Sequence, residues 1–246
     1  MQNHPNERAT SEMAASEAAP FETAAQRFCA DIDFSIEHGT YIRGSLFSEA
    51  AKRLVPSGGH ILDYGCGPGR IALLLARQGY RVRGVDPSVP MIELANGLNT
   101  EGLRIAFEVR PGDGQGLEKN AYDAIVCSSV IQYVEDPGAL LATFHATLRE
   151  GGILLISYAN ESSLWFQYHA RYHRRSNAFA PEQRHAWTWR AFKALLRERH
   201  FQPVSGPTCF DSPLDGRRGC GTLSLSRFVG ALALVGCRRT TPPGAP

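Results

Sequence analysis

Two rhythms of apolar residues divide the chain. From Phe21 to Leu54 they recur at helical spacing, as Phe21, Ala25, Phe28 and Ile32 and then as Leu46, Ala50 and Leu54, with a break near His38-Gly39. This pattern predicts two helices, and residues 21–56 read as an N-terminal helical segment. From Ile61 onward the rhythm changes to short apolar runs, HILDYG, YRVRGVD, RIAFEV, YDAIVCSS and GILLISYA, separated by helix-like stretches at 69–78, 88–98 and 137–149. Runs this short and this continuously apolar suit strands buried on both faces. Their alternation with helices predicts βαβ units around a mostly parallel sheet, an α/β fold. The connection after the third run, RPGDGQGLEKNA, is rich in turn formers and predicts a loop.

The alternation stops after Tyr158. An aromatic and basic insertion, ANESSLWFQYHARYHRRSNAFAPEQRHAWTW, occupies 159–189, and a helix is predicted near Arg190 to Arg199. FQPVSG and then SRFVGALALVGCR read as strands, joined by PTCFDSPLDGRRGCGTLS, which is long for a hairpin. Residues 1–20 are polar and rich in Ala, Ser and Glu, and 240–246 end in Pro and Gly, so both read as disordered tails around one domain spanning 21–239.

ILDYGCGPGR, from Ile61 to Arg70, carries the chemistry. Gly65, Gly67 and Gly69 follow a strand and precede a helix, so a ligand can approach bare backbone and a helix N-terminus. A dinucleotide fingerprint needs its third glycine at the position of Arg70, which disfavours a nicotinamide nucleotide. Asp63 disfavours it again, because a carboxylate before the turn repels a pyrophosphate; a cation or an ammonium-bearing zwitterion suits it better.

ILDYGCGPGRIALLLARQG resembles the first motif of class I S-adenosylmethionine-dependent methyltransferases. RVRGVDPSVPMIELA, GDGQGL and YDAIVCSSVIQYVEDP resemble the three motifs that follow, in order and at similar spacing. The resemblance implies a Rossmann-like, doubly wound, seven-stranded sheet with one antiparallel strand near the C-terminus, and S-adenosyl-L-methionine as cofactor. Within it Asp86, roughly 20 residues beyond Asp63, is placed to accept the ribose hydroxyls. A helix N-cap with Pro87 at the first helical position is the other reading of Asp86. The resemblance further implies that Asp113 accepts from the adenine amino group and that the Gly114 N–H meets the ring; an Asx turn is the alternative for Asp113. It implies that Met91 packs on the adenine, or else in the core, and that Arg43 pairs with the cofactor carboxylate, or else lies on the surface. Pro87 and Ser128 complete the implied cofactor contacts.

The sulfonium makes the methyl group reactive, so a base is needed only where the acceptor must lose a proton. Many relatives carry a histidine where this chain has Tyr133, a candidate to orient substrate or else a half-buried core tyrosine. His169, His173 and His185, all in the insertion, are then the candidate bases, and the insertion is read as a lid over the acceptor. Its tryptophans and tyrosines suit a small organic acceptor. The expected activity is methyl transfer to oxygen or nitrogen in a biosynthetic pathway, of a specialised metabolite, a quinone or a glycan precursor. A non-catalytic cofactor-binding subunit and a nucleotide-linked enzyme are the competing readings.

Charge and cysteine content exclude other classes. A net charge of +2 gives no nucleic-acid footprint, and Arg171, Arg174 and Arg175 form the one tight basic cluster, a solvated or lid surface or a contact for an acidic substrate. Six cysteines without paired spacing, with no metal-ligand pattern beside them, predict a reduced cytoplasmic chain and no metal. No run reaches the length of a membrane span and the N-terminus lacks a signal-peptide core. The expected partner is a small-molecule acceptor, with neither nucleic acid nor membrane, and the chain is expected as a monomer or homodimer.

Overall fold

A computed structural model describes residues 42–98, 100–112, 114–172, 183–211 and 226–241. The helix expected around Phe21 to Ile32 and both tails lie outside them, apart from Thr240 and Thr241. In chain order the elements are α1 (Ile42–Leu54), β1 (His60–Tyr64), α2 (Arg70–Arg77), β2 (Arg81–Asp86), α3 (Val89–Asn96), β3 (Ile105–Val109) and β4 (Tyr122–Cys127). There follow α4 (Pro137–Thr147), β5 (Leu148–Ala159), α5 (Leu164–Tyr172), α6 (Trp189–Glu198), β6 (Phe201–Pro203), β7 (Thr208–Phe210), α7 (Ser226–Val229) and β8 (Leu232–Arg239).

The strands form one mixed sheet in the order β3-β2-β1-β4-β5-β8-β6, with β7 also on β8. Pairs from β3 to β5 are parallel, and β8 runs antiparallel to β5, β6 and β7. Among the described residues the sheet has eight strands in place of the expected seven, because the edge strand is broken. Between Pro203, opposite Cys237, and Thr208, opposite Leu234, the edge takes five steps while β8 takes three. Val204 N–H still donates to Gly236 O at 2.9 Å, but Pro207 has no N–H to offer the ladder, so the edge bulges out and resumes two residues later. The last apolar run also divides: Ser226–Val229 is helical, and the strand begins only at Leu232.

Successive strand residues point to opposite faces, and both faces are packed, which is why the runs read as continuously apolar. On one face Ile61, Val82, Val126 and Leu155 meet Phe47 and Ala51 of α1 and Ile71 and Leu75 of α2. On the other, Leu62, Ile125, Leu154 and Val235 meet Leu140, Leu141 and Phe144 of α4 and Phe192 and Leu196 of α6. Among the described residues no helix covers that second face around Arg83 and β3, the β3–β4 connection having none. The exposed stretch is charged instead. Arg83 pairs with Glu108 and, at 3.4 Å, with Glu118, and Arg110 reaches Glu108 at 2.7 Å.

Candidate active site

The carboxyl ends of β1, β2 and β4 converge on the glycine turn. Gly65 has φ 71°, and a Cβ there would stand 2.3 Å from Val130 Cγ2, so the loop after β4 lies directly against the turn. Gly69 caps α2 in the left-handed region, without a side-chain bond. Gly67, with φ 51°, is different: a Cβ added to it meets nothing within 4 Å. The turn is packed on both sides and open in its middle, as a backbone that receives a ligand requires.

Two carboxyl groups flank this opening. Asp63 is fully buried in β1, and among the described residues its Oδ2 has no hydrogen-bond partner. Burial, and then the nearby charge of Asp86, push its pKa up to about 7, against a single stabilising contact from the Ala72 backbone. Asp86, at the end of β2, accepts from Gly67 N–H at 2.8 Å and from Ser88 N–H at 2.9 Å. Burial raises its pKa too, and those two bonds hold it back. Asp86 is not the helix cap. Ser88 caps α3, its Oγ accepting from Met91 N–H at 3.4 Å, and Pro90, not Pro87, sits in the first turn. Met91 is buried at 2 % exposure.

The loop after β4 supplies the opposite wall. Ser129 has φ 60°, unusual for a residue with a side chain, and its N–H donates to Ser157 Oγ of β5 at 2.9 Å. The Oγ atoms of Ser128 and Ser129 and the Oε1 of Gln132 are buried and have no hydrogen-bond partner among the described residues. Tyr133 is half-buried and hydrogen-bonded to the Gln132 side chain; burial raises its pKa, against the pull of Arg43, so the phenol stays protonated. Arg43 lies with its guanidinium 5.9 Å from the centre of the Phe210 ring. Gly114 is buried against α4, where a Cβ would come within 2.9 Å of Thr143 Cγ2. Asp113 lies outside the described residues.

The insertion returns to this loop. Its two ends are stapled, Trp187 N–H to Ala159 O at 3.0 Å and Glu161 N–H to Trp187 O at 3.1 Å, and the N–H groups of Arg184 and His185 donate to Gln132 O at 2.9 and 3.1 Å. His185 Nε2 lies 3.0 Å from Val134 O. A carbonyl only accepts, so Nε2 carries the proton and Nδ1 is the basic nitrogen of the neutral ring. The ring is stacked on Trp187 with centroids 5.4 Å apart. His169 is in α5, with its side chain outside the description, and His173 lies outside the described residues. His185 is therefore the one insertion histidine whose side chain is brought to the strand ends among the described residues.

Sequence reasoning passed over Ser129, Gln132 and Ser157. The signal was present in the run SSVIQ: three polar side chains in five residues directly after a buried strand. Among the described residues no group of His, Cys, Asp and Glu could hold a metal ion, and no helix is long and apolar enough to cross a membrane.

A family model described as a methyltransferase domain matches residues 38–206, well over half of the chain. The ubiquinone biosynthesis O-methyltransferase of Xylella fastidiosa is 33% identical over 115 residues, 46% of each chain. The chain thus spans about half the length of the curated relatives it matches. Among solved structures, a possible histamine N-methyltransferase of Thermotoga maritima is similar with a TM-score of 0.64 and 19% identity, covering 90% of this chain and 99% of that one. The 1,6-didemethyltoxoflavin-N1-methyltransferase of Burkholderia thailandensis, with its acceptor and S-adenosylhomocysteine bound, is similar with a TM-score of 0.60 and 20% identity, covering 98% and 92%. These likenesses share the fold, a Rossmann-like mixed sheet.

Proposed function

Since the chain belongs to the methyltransferase-domain family and is an S-adenosylmethionine-dependent methyltransferase, we propose that it methylates an oxygen or nitrogen atom of a small organic acceptor in a biosynthetic pathway. The observation that supports this most is the stapling of the insertion onto the loop after β4, which sets an imidazole and an indole beside the wall of the glycine turn. An opening so framed suits a compact acceptor. The O-methyltransferase name of the curated relative and the N-methyltransferase name of the toxoflavin enzyme agree with a small acceptor and leave both atoms in play.

The cofactor fits the residues present. Gly67 leaves room for it, and the unpartnered oxygen of Asp63 calls for a positively charged donor. In this reading Asp63 faces the cofactor's ammonium group. Asp86 retains lone pairs beyond those used by Gly67 and Ser88 and takes the ribose hydroxyls. Asp113 and Gly114 hold the adenine, with Pro87 and Met91 at its side, while Arg43 and Ser128 attend the amino-acid end. When bound, S-adenosylmethionine supplies a methyl group already activated by its sulfonium. The protein's share is alignment, exclusion of water and movement of one proton. His185 Nδ1 takes that proton from an oxygen acceptor, the bond from Nε2 to Val134 O fixing the tautomer. Tyr133, held protonated, orients the acceptor as a donor.

Calorimetry with S-adenosylhomocysteine, followed by an acceptor screen of phenols, amines and nitrogen heterocycles by mass spectrometry, tests the proposal. Cofactor binding and a product heavier by one methyl group are expected. A protein that binds the cofactor and methylates only macromolecules overturns the small-acceptor reading.

A further inference from the structure

The loop after β4 holds an unusual concentration of unsatisfied polarity. Burying a polar atom without a hydrogen bond is costly, and folded proteins seldom leave one. Among the described residues three buried atoms without a partner lie within five residues, Ser128 Oγ, Ser129 Oγ and Gln132 Oε1. Gln132 is the most constrained of them. It is 2 % exposed, its carbonyl is engaged by the N–H groups of Arg184 and His185, and its side chain is bonded to Tyr133. An amide so anchored does not turn away to find water. Its oxygen, without a partner among the described residues, belongs to the same short loop as Val130, two residues earlier in the chain, whose side chain abuts Gly65 of the glycine turn.

We propose that Gln132 is an acceptor-binding residue whose Oε1 receives a hydrogen bond from an O–H or N–H of the methyl acceptor. The proposal rests on the methyltransferase reading above and narrows it. An amide oxygen can only accept, so the acceptor presents a donor there, as a neutral hydroxyl or amine compound does and a carboxylate does not. A buried amide beside a protonated phenol also offers no charge to an ionised acceptor. The amide does not remove the proton; it orients the group that carries it.

The test uses the protein saturated with S-adenosylhomocysteine, with phenol as a donor-bearing probe and anisole as its counterpart without the donor. Binding is followed by shifts of the Gln132 side-chain amide in nitrogen-15 spectra. Phenol is expected to bind about fivefold more tightly than anisole, the worth of one neutral hydrogen bond, and to move the Gln132 resonance. The ratio is expected to fall to about one in Gln132→Met, again as one hydrogen bond lost. Equal responses in the wild-type protein, no response to either included, overturn the proposal, as does a phenol preference that survives in Gln132→Met. Should that variant fail to fold, the wild-type comparison decides. Failure to bind S-adenosylhomocysteine would instead strike the methyltransferase reading beneath it.

Discussion

The two walls of the site are built by opposite means. At the ends of β1 and β2 the carboxylates are partly answered from within: Asp86 already accepts two backbone N–H bonds, and one oxygen of Asp63 is buried without a partner among the described residues. At the end of β4 the atoms Ser128 Oγ, Ser129 Oγ and Gln132 Oε1 have no partner among the described residues, and the insertion clamps the Gln132 carbonyl. The first wall is a backbone device with two carboxylates, suited to a ligand common to many proteins. The second consists of particular side chains. In the proposed reading, generality lies in main chain and selectivity in side chains.

Substitutions can break that division. The largest effect is expected at His185. Replacing it by Gln should lower turnover on an oxygen acceptor by about 10²- to 10⁴-fold, the range for loss of a general base, while calorimetry finds cofactor affinity nearly intact. Unchanged turnover would point to an acceptor that is nucleophilic without deprotonation. Next comes Asp86→Ala, with an expected loss of roughly 1.5 to 3 kcal/mol in cofactor binding, or about ten- to a hundredfold, from charge-assisted bonds. A loss of turnover at saturating cofactor would show that the first wall does more than bind.

A smaller effect concerns pH. The folded-state pKa of Asp63, about 7, lies above its ordinary value of 3.8, so between these values the folded state holds a proton that the unfolded state has released. Its contribution to stability is therefore full below about pH 4, declines as pH rises, and is lost above about 7. Melting temperatures should fall across that window and Asp63→Asn should flatten the slope. Cofactor affinity should move the other way, rising through pH 7 as Asp63 ionises to meet a positive ligand. The smallest change is expected on the charged face of β2 and β3. Arg83→Gln should cost about 0.2 to 1 kcal/mol, as exposed ion pairs do, and leave both walls and all activity untouched. A measurable drop in turnover would show that this face is coupled to the site.

The first wall was legible in the sequence because glycine and aspartate are read by what their backbones and charges permit. Gly65, Gly67 and Gly69 announce a turn that side chains cannot occupy, and the carboxylates stand at the ends of recognisable strands. One ambiguity there was physical: Asp86-Pro87 has the look of a cap and first helical residue, yet the helix begins two residues later, at Val89, where Ser88 Oγ accepts from Met91 N–H. The second wall was partly legible. Aromatic residues in 159–189 marked a segment that had to pack on something, but nothing in the order of residues tells that Arg184 and His185 return to Gln132 rather than elsewhere. Contacts across some fifty residues are decided by how the ends of the insertion are stapled. Likewise the run of apolar residues near Phe201 announced a strand, while its interruption depended on Pro207 falling where the edge would have offered an N–H to β8.

That interruption has a consequence for life at high concentration. A regular edge strand offers a ladder of unpaired N–H and C=O groups onto which another chain can add. Here the edge on β8 comes in two pieces of three residues each, offset by the bulge between Pro203 and Thr208. No straight strand from a neighbour can register with both. The edge of the sheet nearest its most apolar strands is thereby made a poor template for aggregation.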